Sequence, residues 1–360
     1  MPRRRRGRFT PKKTTKSHGG DPASPTEAEW RSMTEFGSFV VRDEEDVEHI
    51  FRKGDDATVL PYKAIVGEEL PLHKYWVARI KEIRAKGEDE VWARVQWHWS
   101  GHEVAGTIKS FHGASCGNYE RIYSDHFDYV SSSAFDAVVH VHKFFETNPN
   151  QPYIGKDEFY TRYTFEYKAR IINPRPGSGT CVCEEPYSPD DTMGLMHFCP
   201  RPSCRHAYHQ KCLLAEFKDP ESSMTRSLRL LASSPDSDET IVLEDLISSE
   251  PPKKKRRGRP AKKSLDPIGV SLEDLLKGMP SGLVLVAQQP IVRGAAFSAG
   301  GVSGNVQAVL HARNMVYAAL SGTPIPDDWE DNVDIDRAIV RVPGRKPIPA
   351  FVCPKCGGAI

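Results

Sequence analysis

The 360-residue sequence has no apolar run near the roughly 18 to 20 residues that a membrane helix requires. Behind its opening arginines, Arg3 to Arg6, there is no apolar stretch of the kind a secretory signal carries. No membrane partner and a reducing compartment are therefore expected. A phosphate-binding Gly-rich loop, a nucleophile elbow and a methyltransferase-like cofactor motif are all lacking as well. The 13 histidines fall mostly in an aromatic-rich stretch, where an isolated imidazole is more often structural than catalytic. Cysteine is scarce, with eight in all, and in a reducing compartment a metal site is a better use for it than a disulfide set.

Charge is nearly balanced overall, at +1, but unevenly placed. Residues 1–20 hold eight arginines and lysines and no acid. Residues 253–263 repeat the pattern as KKKRRGRPAKK, after a Ser- and acid-rich stretch over 233–250 without aromatics. Neither basic run has the periodicity of a folded segment, so both are expected to be disordered. Lys253, Lys254, Lys255, Arg256, Arg257 and Arg259 suit a nuclear import signal or contact with phosphates, since each cation brought to a nucleic acid releases a condensed counterion. The Arg257-Gly258-Arg259-Pro260 core resembles an AT-hook, which would lie in the minor groove of DNA.

Seven of the eight cysteines and one histidine form a series: Cys181-x-Cys183, Cys199-x4-Cys204, His209-x2-Cys212 and Cys353-x2-Cys356. Zinc takes four thiolate or imidazole ligands tetrahedrally, and short pairs from separate turns enclose each ion. Eight ligands imply two zinc ions. If the pairs interleave, one ion takes Cys181, Cys183, His209 and Cys212, and the other takes Cys199, Cys204, Cys353 and Cys356. Only Cys116 is left over.

From about Val59 to Asn173 the chain is rich in aromatic and β-branched residues. Tyr75 to Ile83, Val91 to Trp99, Ala137 to Phe144 and Phe159 to Tyr167 show near-alternation of apolar and polar residues, the strand period. The expectation is a mostly-β fold, an antiparallel barrel-like domain, with a hairpin turn at Gly87-Glu88-Asp89. It is followed by a small zinc-stabilised module.

Five anchor points in this segment carry a family resemblance: Trp76-Val-Ala-Arg-Ile, Val95-Gln-Trp97-His-Trp99, Phe111-His-Gly, Tyr123-Ser-Asp-His-Phe-Asp128 and Phe159-Tyr-Thr-Arg-Tyr163. In order and spacing they resemble a bromo-adjacent homology (BAH) domain. Cys181-Val-Cys-Glu-Glu-Pro-Tyr187 and Tyr208-His-Gln-Lys-Cys212 resemble a plant homeodomain (PHD) finger. The tandem is similar to BAH-PHD chromatin readers of plants and fungi, whose BAH domains recognise trimethylated lysine 27 of the histone H3 tail. The resemblance implies a nuclear, non-enzymatic protein that binds H3 tails and nucleosomes in repressed chromatin.

It also implies site residues. A quaternary ammonium donates no hydrogen bonds and is held by aromatic faces through their quadrupoles. Trp97 and Trp99, two apart on one strand, point to one side, and Trp76 falls where the family places a third cage aromatic. Asp125 and His126 are placed beside the bound tail; their alternative is an Asx-type turn and a structural histidine. In the finger, Ala207 stands where readers of methylated lysine 4 carry tryptophan, which leaves Tyr187 and Met196 as candidate walls of a peptide surface. Phe351, two before Cys353, matches an aromatic that fills the small core between the two metals.

The expected organisation is a basic tail over 1–27, the BAH domain over 55–173, and a finger split between 178–218 and 348–360. A linker over 219–270 and a partly helical segment over 271–347 fill the split. Ser271 begins a capping-box-like start; Val302 to Leu320 has helical spacing and is expected to stop at Pro324 and Pro326. Two other readings remain open. A RING variant with the same ligand order would recruit ubiquitin-conjugating enzymes, and a scaffold would keep the BAH fold with its aromatics as core.

Overall fold

The structure is a computed structural model that describes residues 23–42, 46–61, 70–87, 90–178, 180–216, 226–243, 276–341, 348 and 350–360. Both basic runs, Glu88 and Asp89, and the Ser271 capping box lie outside the described residues. The chain divides into two compact units. The first comprises residues 1–145 and 156–178, and the second comprises 146–155 and 179–360.

In the first unit, Thr26 and Glu29 form a capping box that starts α1 (Glu27–Ser32). This helix buries Trp30 against Met33 and Trp92. After β1 (Thr34–Phe36), strands β2 (Ser38–Arg42) and β3 (Glu48–Arg52) form a ribbon. Phe39 and Phe51 of that ribbon stack at 5.0 Å and pack on Phe135. The unit therefore begins well before residue 55.

The main sheet contains β4 (Asp56–Val59), β5 (Trp76–Lys86) and β6 (Glu90–Trp99). Helix α2 (Gly101–Thr107) follows, started by a Ser100–Glu103 capping box. Then come β7 (Ile122–Ser131), β8 (Phe135–Val139), β9 (His142–Lys143), β10 (Tyr160–Thr161), β11 (Thr164–Glu166) and β12 (Ile171–Asn173). The order is β12-β11-β7-β6-β5-β4-β8, with β1 also on β5. All these pairs are antiparallel except β7 with β11. Among the described residues β12 and β8 end the path without meeting, so the sheet is open where a barrel-like closure was expected.

Alternation explains the inner face of β5, and a bulge explains where it breaks. Ala78 and Ile80 point inward, the register shifts between Ile80 and Glu82, and the inward set resumes at Ile83. One extra residue reverses the side-chain parity. The long strands expected over 137–144 and 159–167 are each divided in two.

The second unit contains β13 (Met196–Phe198), β14 (Ala207–His209), α3 (Gln210–Glu216), α4 (Arg226–Leu231), α5 (Ser281–Ala287), β15 (Val292–Arg293), α6 (Val306–Leu320) and α7 (Ile335–Ala338). The period read from the sequence puts Val306, Val309, Leu310, Ala312 and Val316 on the buried side of α6. Arg313 is buried among them, and its guanidinium donates to the carbonyls of Ala287, Ser233 and Gln289. Glycine rather than proline ends the helix. Gly322 takes φ +92°, its N–H donates to the Ala319 carbonyl, and the Thr323 N–H donates to the Ala318 carbonyl, which is a Schellman motif. Pro324 and Pro326 follow that stop.

Candidate metal centres and an aromatic cluster

The eight spaced ligands of the second unit converge in two groups. Cys181, Cys183, His209 and Cys212 form one, and Cys199, Cys204, Cys353 and Cys356 form the other; within each, the ligand atoms lie within 4.8 Å of one another. The pairs interleave along the chain, as the cross-brace reading expected. All eight cysteines are free thiols. Cys199 and Cys356 are 3.5 Å apart at Sγ, as are Cys204 and Cys353. Tetrahedral coordination at about 2.3 Å per thiolate places sulfurs about 3.8 Å apart, whereas a disulfide closes them to about 2.05 Å. The Cys183 Sγ to His209 Nδ1 distance, 3.3 Å, is equally suited to a shared ion. Soft thiolates with one imidazole are the donor set that zinc prefers.

Local electrostatics divide the ligands: hydrogen bonding among the thiols and burial push Cys199, Cys204 and Cys212 above an ordinary thiol, while two groups lean toward the ligating form. Burial holds His209 below the ordinary imidazole range, with Lys211 nearby adding to the effect, so its ring is neutral at pH 7 and able to coordinate. Hydrogen bonds from Cys199 and Cys204 hold Cys353 well below a normal thiol. The His209 N–H also points at Cys181 Sγ, 3.4 Å away. Phe351, 1% exposed, packs with Tyr208, Leu213 and Ile360 among the buried cysteines of both groups.

In the first unit Trp76 and Trp97 meet edge to face, with centroids 5.6 Å apart and planes at 77°. Val59 and Ala78 of the neighbouring strands place them: Trp76 is opposite Val59, and Trp97 is opposite Ala78. Trp99 lies two residues further along β6. It packs on His126 (5.7 Å), Phe165 (5.4 Å) and Tyr167 (5.3 Å). Trp97 and Trp99 are only 2% and 1% exposed and belong to the main core, against which the partly buried Trp76 packs.

The Ser124-Asp125-His126 stretch, expected beside a bound tail or in an Asx-type turn, is a bulge in β7. Gln96 pairs with Phe127 and His98 with Tyr123, so between these pairs one residue of β6, Trp97, faces three of β7. Bulges re-aim side chains, and this one turns about Trp97: Ser124 Oγ donates to the Trp97 carbonyl at 2.9 Å, and the Gln96 amide donates to the Ser124 carbonyl at 2.7 Å. The Tyr123 hydroxyl bonds to the Gln96 side chain. Asp125 is exposed, and its carboxylate accepts the Tyr167 backbone N–H at 2.6 Å, so it caps another strand's backbone rather than its own. His126 stacks on Tyr167 at 4.4 Å.

Sequence reasoning missed Tyr167, although its step of two from Phe165 placed it on the same side of one strand. It also missed the polar group across β4 and β6. Arg79 grips Asp56 with two hydrogen bonds of 2.9 and 2.7 Å, and His98 Nε2 lies 3.0 Å from the same carboxylate. Burial holds His98 below its ordinary pKa. Burial alone would raise Asp56, but the bonds from His98 and Arg79 outweigh it and keep the carboxyl low.

Tyr187 and Met196, expected at a peptide surface of the finger, are each 2% exposed. The Tyr187 hydroxyl donates to the Val302 carbonyl at 3.0 Å, and Met196 sits in β13, flanked on both sides by other strands. The insertion covers both. Among the described residues no helix is long and apolar enough to cross a membrane.

No family model matches the chain. Two Arabidopsis thaliana proteins, chromatin remodeling protein EBS and chromatin remodeling protein SHL, are each 31% identical to it. The first match runs over 140 residues, 38% of this chain and 55% of that protein; the second runs over 152 residues, 41% and 62%. The chain thus spans little more than half the length of these plant relatives. A crystal structure of the yeast Rsc2 BAH domain is similar with a TM-score of 0.27 at 11% identity, over 39% of this chain and 54% of that one. The chain is a homologue of plant chromatin remodeling proteins, and the likeness to BAH-PHD chromatin readers read from its sequence is borne out at that level.

Proposed function

We propose that the protein is a nuclear chromatin reader whose first unit, a BAH domain, recognises trimethylated lysine 27 of the histone H3 tail, and whose second unit is a two-zinc finger of PHD type. The observation that carries the reading is the perpendicular Trp76–Trp97 pair. The partly exposed Trp76 offers a ring face to a trimethylammonium group beside Trp97, a desolvated contact being worth up to about 2 kcal/mol. The bulge beside Trp97 supplies Asp125 and His126 for the tail on either side of the lysine. Zinc, held by the two ligand groups, shapes the second unit and performs no chemistry. The basic segments would add salt-dependent contact with DNA in the nucleosome.

One observation favours a second reading. Trp97 and Trp99 are almost wholly buried, as they would be in a scaffold that keeps the fold and uses its rings as core. Calorimetric titration of the zinc-loaded chain against H3 peptides methylated at different lysines separates the two. Saturable binding confined to the lysine-27 trimethyl peptide supports the reader, and indifference to every methylated peptide leaves the scaffold.

A further inference from the structure

An unpaired strand edge presents free N–H and C=O groups, and an extended peptide can add there as another strand. The β13–β14 ribbon of the second unit has such an edge along β13, and the protein's own insertion lies on it. β15 pairs antiparallel with β13, Arg293 opposite Met196 and Val292 opposite His197, and the Phe198 N–H donates to the Ile291 carbonyl at 2.9 Å. The outer side of β15 is closed in turn. The Asn305 N–H donates to the Val292 carbonyl at 3.1 Å, and Asn305 Oδ1 accepts the Val292 N–H at 2.8 Å.

The side chains are seated as firmly as the backbone. Arg293 is 1% exposed. Its guanidinium lies 4.9 Å from the Phe198 ring centroid, and it donates to the carbonyls of Glu146 at 2.7 Å and Ser303 at 3.2 Å. The approach of the segments depends on glycine: Gly304 takes φ +72°, and a Cβ there would run into the Val292 carbonyl.

We infer that Pro290-Ile291-Val292-Arg293 is a built-in peptide ligand of the finger, with Arg293 as its anchoring side chain. It fills the edge at which an outside chain would add, so the second unit takes no peptide along β13. The insertion is then a working part of the zinc unit rather than an excursion from it. This inference does not rest on the methyl-lysine reading of the first unit.

Amide hydrogen exchange on the zinc-loaded full chain tests it. The Phe198 amide is expected to be protected as strongly as the Cys199 amide, which bonds to the His206 carbonyl across β14. A peptide copying the H3 N-terminus, unmodified or trimethylated at lysine 4, should leave the resonances of Met196 to Phe198 unmoved. Gly304→Ala should speed Phe198 exchange by about 10-fold or more, a local opening, and let a synthetic peptide of residues 288–295 bind in trans. A Phe198 amide that exchanges like a surface amide in the unaltered chain, or an H3 peptide that shifts Met196 to Phe198, overturns the inference. If Gly304→Ala unfolds the unit, the unaltered chain decides alone.

Discussion

Trp76 is the residue at which reading and scaffolding can be told apart. Trp97 is unsuitable, because it lies in the main core and truncating a buried tryptophan costs about 3–5 kcal/mol. That is a large part of the about 5–15 kcal/mol that holds a domain together, so lost binding in Trp97→Ala would report unfolding as readily as lost recognition. Trp76 packs on that core from outside and is only partly buried. Trp76→Leu keeps an apolar side chain against Trp97 but removes one aromatic face. If that face contributes about 1–2 kcal/mol to a trimethylammonium, at about 1.36 kcal/mol per decade affinity for the lysine-27 trimethyl peptide falls roughly 5- to 30-fold. Affinity for the unmethylated peptide should stay where it was, and Trp76→Phe should fall between. Calorimetric titration of both peptides, with a thermal melt of each variant, measures the ratio and the stability together. An unchanged trimethyl-to-unmethylated ratio in a Trp76→Leu chain of normal stability would refute the cage.

Three further outcomes follow from the same geometry. Cys204→Ser should lower bound zinc from two ions per chain toward one by elemental analysis, and the helical signal of the second unit should fall with it, because structural zinc contributes about 10–16 kcal/mol; two ions retained would contradict the grouping. His197 is fully buried with neither ring nitrogen hydrogen-bonded and lies edge-on to Phe351, so His197→Leu should raise stability by about 1 kcal/mol through removal of an unsatisfied polar group, and a clear drop in the melting temperature would count against that. For the His98–Asp56 pair both folded pKa values lie below the unfolded ones, so the unfolded chain binds protons first. Stability should therefore fall as pH drops below about 6.5 through His98 and again below about 4 through Asp56, by at most about 1.4 kcal/mol per pH unit for each group. In His98→Gln that first fall should become shallower by the His98 share, and the part that remains belongs to other histidines held low by burial, His197 above all.

What the sequence disclosed were features set by local rules. Metal ligands come in short pairs because a turn must present both, so the pairs were legible from spacing, and their grouping followed from the interleaved order usual in two-metal modules. The long strands β5 and β6 were legible because both come near to alternation, with the bulge after Ile80 the break in β5, and α6 because its apolar residues recur at the helical period. β7 was not among the expected strands because Ser124 to His126 bulge out and break its alternation, and that bulge is set by Gln96 and Trp97 on a neighbouring strand. Trp30 is buried by Trp92, some 60 residues away in the chain, a contact with no local signature. β15, two residues long between a proline and a glycine, has no period at all. The burial of Tyr187 and Met196 follows from that same long-range pairing, so no reading confined to the finger's own residues could have found it.

The 140 residues between Cys212 and Cys353 look costly for a small metal module, yet a flexible loop ten times longer costs only about 2 kcal/mol more to close. The structure lowers even that, because the excursion returns to the metal groups before its end. Arg201, between Cys199 and Cys204 in the chain, donates to the Cys356 carbonyl at 3.1 Å and to Thr240 Oγ1 at 2.7 Å. Arg205 donates to the Pro235 carbonyl at 2.7 Å, and the Ser203 N–H donates to Asp238 at 2.9 Å. The same stretch reaches α6: Arg313 donates to the Ser233 carbonyl, and Tyr317 bonds to the Leu231 carbonyl. Residues 231–240 therefore link the Cys199–Cys204 turn to the longest helix of the insertion, and β15 links the insertion back to β13. The closure is divided among several shorter loops, each ended by hydrogen bonds, so the metal need not hold the two ends of the finger together unaided. Metal and insertion should then stand or fall as one cooperative unit.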